Sequence, residues 1–256
     1  MKKLAVLMLG VFAASSVIAE ELKPLSIFGD QNTDEIAGSA DYIGDDRIKT
    51  SGYTDIERLL NEVPGVFSQT EDGLGLRTNI GMRGAKALRT QKVNITEDGI
   101  LQGPAIYANP SMYFFPDVGR AEGIEVLKGA AAIGTGPRTT SGAINIISRS
   151  IPTSPKGYYN VTFGDERYNK QHIHYGGTFG PISYVAEFSD VGYDGHKDLE
   201  NANGDETGFR KSSDLIKIRY SLPNSYLELS SQNTTEVSHE SYVGLTRADF
   251  AANPYK

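Results

Sequence analysis

The chain has 256 residues, a formal net charge of −7 and no cysteine. The acidic balance excludes a surface built to grip nucleic-acid phosphates, and the missing thiols exclude both a disulfide framework and a thiolate metal site. With 14 Tyr, 28 Gly and no Trp, the composition favours strands and turns over a helical bundle.

The chain opens with Lys2 and Lys3, an apolar run from Leu4 to Ala14, and Val17-Ile18-Ala19 ending on a small residue. This is the pattern of a secretory signal peptide, assigned to residues 1–19. The apolar run is shorter than the ~20 residues a spanning helix needs. The mature chain is therefore expected outside the cytoplasm, and any entry into a membrane must be as a closed barrel. Residues 20–40 read as a flexible acidic tail holding one apolar island, Leu25-Ser26-Ile27-Phe28; composition alone makes that an incidental cluster.

Residues 41–150 read as a compact α/β domain. Thr54-Asp55-Ile56-Glu57 is expected to form a capping box. Ile56, Leu59, Leu60 and Val63 fall on one helical face, and Pro64-Gly65 ends the helix. Short apolar runs at 78–82, 92–96, 123–127 and 143–147, flanked by Gly, Pro or Asp, predict strands. From about residue 157 the period changes to two. Tyr159, Val161 and Phe163 face one way; Ile173, Tyr175 and Phe179 follow, then Ile182, Tyr184, Ala186 and Phe188, then Ile216, Ile218, Tyr220 and Leu222, then Leu227 and Leu229. His172, His174, Glu187, Lys217 and Arg219 lie on the opposite, mostly polar face. A half-buried soluble sheet alternates in the same way. Tight turns at Gly180-Pro181 and Pro223-Asn224, with a long polar loop from about 192 to 211 between them, match the build of an outer-membrane barrel.

The ordered motifs of the middle segment carry a resemblance. Ile56 to Val66, Ile80-Gly81-Met82-Arg83-Gly84, Glu97-Asp98-Gly99-Ile100, Ile124-Glu125-Val126-Leu127-Lys128-Gly129 and Gly142-Ala143-Ile144-Asn145-Ile146-Ile147 resemble the plug domain of TonB-dependent outer-membrane receptors. The motif residues are Arg83, Gly84, Asp98, Gly99, Glu125, Lys128, Gly129, Gly142 and Asn145. Lys128 stands where the family often has Arg, which removes a guanidinium fork, and Ser141 stands where a second Gly is common. The segments 110–116, 133–140 and 241–250 look like those of ferric-citrate-type iron receptors.

The resemblance implies a fold class: an α/β plug, then the first antiparallel strands of a transmembrane β-barrel, incomplete in this chain. Residues 155–256 would supply about five strands. A plugged barrel of 22 strands at ~10 residues each needs about 220 residues in strands alone, so the chain reads as a fragment. The implied function is energised, TonB-dependent import of a ferric chelate such as iron-citrate or another siderophore, at the outer membrane of a Gram-negative bacterium. It implies no enzyme and no cofactor. The implied partners are the TonB energy-coupling protein, a small iron chelate and outer-membrane lipid. The tail before the plug is too short for an added signalling domain, so transport without transcriptional signalling is expected.

The resemblance also gives Leu25-Ser26-Ile27-Phe28-Gly29 a second reading, as the TonB box, an extended segment to which a partner adds a strand. Gln102, Tyr107 and Asn109 are ligand-binding candidates on an outward loop, or plain loop solvation. Arg138 is a candidate for an anionic chelate, or a plug-to-barrel ion pair. Two other function classes remain: a secreted binding or adhesion module with a small sheet, and an enzyme using the Gly-rich 129–142 segment for phosphate. A receptor of the same family for cobalamin, haem or a sugar is a further alternative. Gly134-Thr135-Gly136-Pro137 lacks the last glycine of a dinucleotide loop, and His172 with His174 lacks a third metal ligand.

Overall fold

The structure, a computed structural model, describes residues 26–28, 33–36, 38–72, 74–102, 114–137, 139–196, 199–200, 207–239 and 244–255. Strand β1 (Ser39–Gly44) runs into helix α1 (Asp45–Ser51), followed by α2 (Ile56–Leu60), β2 (Val66–Ser68), β3 (Ile80–Met82), β4 (Val93–Glu97), β5 (Ile100–Leu101), β6 (Gly123–Lys128) and β7 (Gly142–Ile147). The larger sheet has the order β1-β6-β7-β4-β5, and β2 pairs with β3 as a separate ribbon. Among the described strands only β4 and β7 pair in parallel. Strand β3 falls within the expected run at 78–82, whereas β1, α1 and β2 carry no flanked apolar run or helical stripe and are not expected from the sequence.

Helix α1 has Asp45 and Asp46 in its first turn and Lys49 in its last, which suits the helix dipole. Gly52 ends it at φ 66, a conformation that favours glycine. The cap of α2 corrects the expected box. Asp55, not Thr54, is the N-cap and accepts from the Arg58 N–H at 2.8 Å. Glu57 turns inward instead and accepts from the Asn79 N–H and the Thr70 hydroxyl, each at 3.2 Å. Both Thr54 and Asp55 carry a capping oxygen, and a spacing rule cannot choose between them. Burial raises the Glu57 pKa, with the Asn79 N–H offsetting part of the rise.

One core holds this unit together. Ile56, Leu59 and Leu60 pack with Ile80, Met82, Ile95, Ile124, Val126, Ile144 and Ile146. Leu60 is fully enclosed, so Leu60→Ala is expected to cost about 2–5 kcal/mol, read as a shift in the denaturation midpoint of the full-length protein. Gly142 marks the tightest approach in the sheet. A Cβ there would lie 2.5 Å from the Leu127 carbonyl oxygen, so Gly142→Ala is expected to cost about 1–3 kcal/mol through strand displacement. Its neighbour Ser141 fits because its hydroxyl donates to the Lys92 carbonyl at 2.9 Å.

The second part is a wall of five strands: β8 (Lys156–Phe163), β9 (Asn169–Phe179), β10 (Ile182–Tyr193), β11 (Phe209–Leu222) and β12 (Ser225–Ser238). They stand in chain order, each antiparallel to the next, and the sheet is open rather than closed into a barrel. Tyr159, Phe163, Ile173, Tyr175, Phe179, Ile182, Phe188, Ile216, Ile218, Leu227 and Leu229 are exposed on the outer face. Lys170, His172, His174, Glu187, Lys211 and Lys217 are buried on the inner face, against the α/β unit. The strands reach further than the alternation predicts. β10 continues to Tyr193 and β11 starts at Phe209, which trims the long loop. β12 extends to Ser238, past the point where the alternation stops; the outward residues that follow Leu229, namely Ser231, Asn233 and Thr235, are polar before apolar Val237 is reached. The polar end of the chain holds a short helix, α3 (Arg247–Ala252), capped by the Thr246 hydroxyl, which accepts from the Asp249 N–H.

Candidate functional site

The tail meets the α/β unit at one carboxylate. The Ile27 N–H donates to Glu125 Oε2 at 2.8 Å, and the Ser26 hydroxyl donates to Glu125 Oε1. The Phe28 N–H closes a small turn onto Ser26 Oγ at 3.0 Å. Ile27 and Phe28 then pack against Leu127, Ala132 and Ala143. Ser26–Phe28 is thus a bend docked on the sheet, where the sequence predicts an extended segment; Leu25 and Gly29 lie outside the described residues.

Glu125 sits in the middle of β6, only 2% exposed, and pairs across the ladder with Asn145 of β7. The Asn145 amide donates to Glu125 Oε2 at 2.8 Å. Its Oδ1 accepts from the Thr96 hydroxyl at 2.8 Å and the Gly99 N–H at 3.0 Å. Asp98 and Gly99, at φ 48 and 75, form the turn between β4 and β5, a geometry that suits a two-residue hairpin. Asp98 accepts from the Ser148 N–H at 2.9 Å, from the Ser148 hydroxyl, and from Lys217 Nζ of the wall at 3.1 Å. Four of the motif residues, Asp98, Gly99, Glu125 and Asn145, are therefore joined in one network.

A second cluster lines the seam between the α/β unit and the wall. Asp117 accepts from the Ser189 hydroxyl at 2.5 Å and the Gly119 N–H at 2.9 Å. Burial pushes its pKa up, but the Ser189 hydrogen bond and the charges of Lys211, Lys170 and Arg120 outweigh this and hold it below the ordinary carboxylate value. Arg120, 1% exposed, pairs with Glu97 at 2.6 Å, and Gln232 of β12 donates to the other Glu97 oxygen at 2.7 Å. Arg149 lies 3.3 Å from both Asp45 and Glu187. Burial opposes its charge, and Glu187 and Asp45 raise its pKa against that. Arg77 reaches Glu236 at 2.6 Å and Ser238 at 2.9 Å, and Lys211 reaches Glu236 at 3.1 Å. Such buried pairs add little net stability, because desolvation offsets the attraction, yet breaking one is costly. They fix how the α/β unit sits in the wall. The sequence reading does not single out Asp117, Arg120 or Arg149. The signal available was the charge of Lys170, Glu187, Lys211 and Lys217 at inward positions of alternating strands.

The remaining site residues are dispersed. Arg83 and Gly84 form a turn at φ 51 and 76, the Arg83 N–H donates to the Gly65 carbonyl at 2.8 Å, and its guanidinium lies beside Gly129. Lys128 donates to the Pro64 carbonyl at 2.8 Å and pairs with Asp41, two separate partners that a compact ammonium reaches without a planar fork. Gln102 folds back on its own strand, donating to the Ile100 carbonyl at 3.1 Å. Tyr107, Asn109 and Arg138 lie outside the described residues. His172 pairs with Glu187 at 2.8 Å, and both histidine rings lie 5.3 Å from Tyr158, so they serve the seam. A cavity of about 460 Å³ opens between Tyr53, Asp55 and Arg58 of the α/β unit and Tyr168, Tyr193 and His196 at the long-loop end of the wall.

Residues 32–143 match the family model for the TonB-dependent receptor plug domain. Solved structures share the fold. A ferric citrate transporter in its unliganded form aligns at TM-score 0.71 and 22% identity, over 93% of this chain and 37% of that one. The ferric yersiniabactin uptake receptor of Yersinia pestis aligns at TM-score 0.62 and 19% identity, over 78% of this chain and 31% of that one. The ferripyoverdine receptor of the Pseudomonas aeruginosa outer membrane, bound to ferripyoverdine, aligns at TM-score 0.62 and 18% identity, over 77% and 25%. The chain thus spans well under half the length of each of these three structures.

Proposed function

We propose, on the premise that residues 32–143 are a TonB-dependent receptor plug domain, that the chain is part of a Gram-negative outer-membrane receptor importing a ferric chelate. One observation carries this reading: the ion pairs Arg149–Glu187, Asp98–Lys217 and Arg77–Glu236 hold the plug to the inner face of a wall whose outer face is apolar. That arrangement suits a barrel in lipid with its lumen closed. A secreted module with a small sheet has no use for outward Ile173, Phe179, Ile216 and Leu229.

The transported cargo is a ferric chelate, with ferric citrate the first candidate, supported by the likeness to the ferric citrate transporter and by the segments 110–116 and 133–140. The energy-coupling partner is TonB, which pairs with the tail at Leu25–Gly29 by strand addition. Ligand meets the outward loops of the plug, and Gln102, Tyr107, Asn109 and Arg138 are the contact candidates from the sequence. Equilibrium binding to the purified full-length receptor, followed by tyrosine fluorescence, tests the cargo class. Ferric citrate, a ferric hydroxamate and a ferric catecholate are the probes. Saturable binding of one of them is expected, and saturation by cobalamin or a sugar with none of the three would overturn the assignment.

A further inference from the structure

We infer that Glu125 is the positioning residue that holds the tail on the plug, and that it does so as one link in a line of hydrogen bonds reaching the barrel wall. The inference rests on the reading of the tail as the segment through which the receptor is energised. Two of the donors on the Glu125 carboxylate, the Ser26 hydroxyl and the Ile27 N–H, come from the tail. The third, the Asn145 amide, comes from the neighbouring strand. A buried carboxylate depends on its donors, so tail departure leaves Glu125 with Asn145 alone.

Asn145 carries the line onward. Its Oδ1 holds the Gly99 N–H at 3.0 Å, and the adjoining Asp98 holds Lys217 Nζ of β11 at 3.1 Å. Ile27 is thus joined to the wall through Glu125, Asn145 and the Asp98-Gly99 turn. A displacement of the turn relative to β11 pulls Gly99 off Asn145, removes one of the bonds that orient its side-chain amide, and weakens the seat of the tail. Each link is a direct hydrogen bond or, between Asp98 and Gly99, the backbone of one tight turn, a contiguous network of the kind that can carry coupling between sites.

The test uses the full-length receptor in outer-membrane fragments, with Ile27→Cys as a reporter, since these 256 residues contain no other cysteine. Residue 27 is half-buried where the tail docks, so maleimide labels that thiol faster when the tail is undocked. Glu125→Ala is expected to raise the labelling rate about tenfold or more, and Ser26→Ala about threefold, because charge-assisted hydrogen bonds are the strong ones. Lys217→Met, at the far end of the line, is expected to raise it about twofold. Ser26→Ala and Lys217→Met keep the test open if Glu125→Ala fails to fold. An unchanged rate in either of these two variants overturns the inference. Labelling needs neither iron nor energy, so a failure of the import reading appears in uptake and leaves this result separate.

Discussion

Replacing Asp117 with alanine is expected to destabilise the full-length receptor by about 3 kcal/mol, the low end of the cost of stripping a buried charge cluster of one partner. Asp117 is the anionic centre for Lys170, Lys211 and Arg120 and the acceptor for Ser189 and Gly119. Lys211 and Arg120 keep Glu236 and Glu97, which is why the loss stays at the low end. Asp117→Asn keeps the shape and one acceptor and is expected to cost less. The pH dependence follows from the sign of the shift. A carboxyl whose folded pKa is depressed contributes stability that is complete above the unfolded value of about 4 and fades as pH falls through the folded value. The gap between wild type and Asp117→Ala is therefore expected to be constant near neutrality and to shrink below about pH 4. Denaturation midpoints across that range measure it, and a gap that widens in acid contradicts the assignment.

The second large effect is expected at Ile27. Proline there removes the N–H that donates to Glu125 and also the donor a paired strand needs. Import is expected to fall about tenfold or more, the weight of one charge-assisted main-chain bond together with lost register. Uptake of the labelled cargo measures it, with receptor abundance in the membrane as the control. Ile27→Val keeps the N–H and the β-branched shape and is expected to import at nearly the wild-type rate. Equal uptake by the proline and valine variants contradicts the role given to the segment.

The sequence reveals what is periodic or local. Outward Ile216, Ile218 and Tyr220 alternate with inward Lys217 and Arg219 because lipid and plug impose opposite demands on the two faces of β11. The Asp98-Gly99 turn is legible because a two-residue hairpin demands positive φ at both positions. What depends on distant partners is not legible. Glu125 and Ile27 are 98 residues apart, and nothing near either one announces the contact. Asp117 lies in an irregular stretch, and its cations come from β9, β11 and the turn holding Arg120. The upper half of β12 was missed for the converse reason. It forms a ladder with β11 up to Ser238, but three successive outward residues, Ser231, Asn233 and Thr235, are polar, and the single outward Val237 beyond them makes no period.

The most direct test of the central claim is radioiron uptake into iron-limited cells carrying or lacking the full-length gene, with ferric citrate and other ferric chelates offered singly. The account predicts that deletion abolishes uptake of one chelate, and that loss of TonB does the same in cells that carry the gene. Uptake of every ferric chelate unchanged by deletion would contradict it.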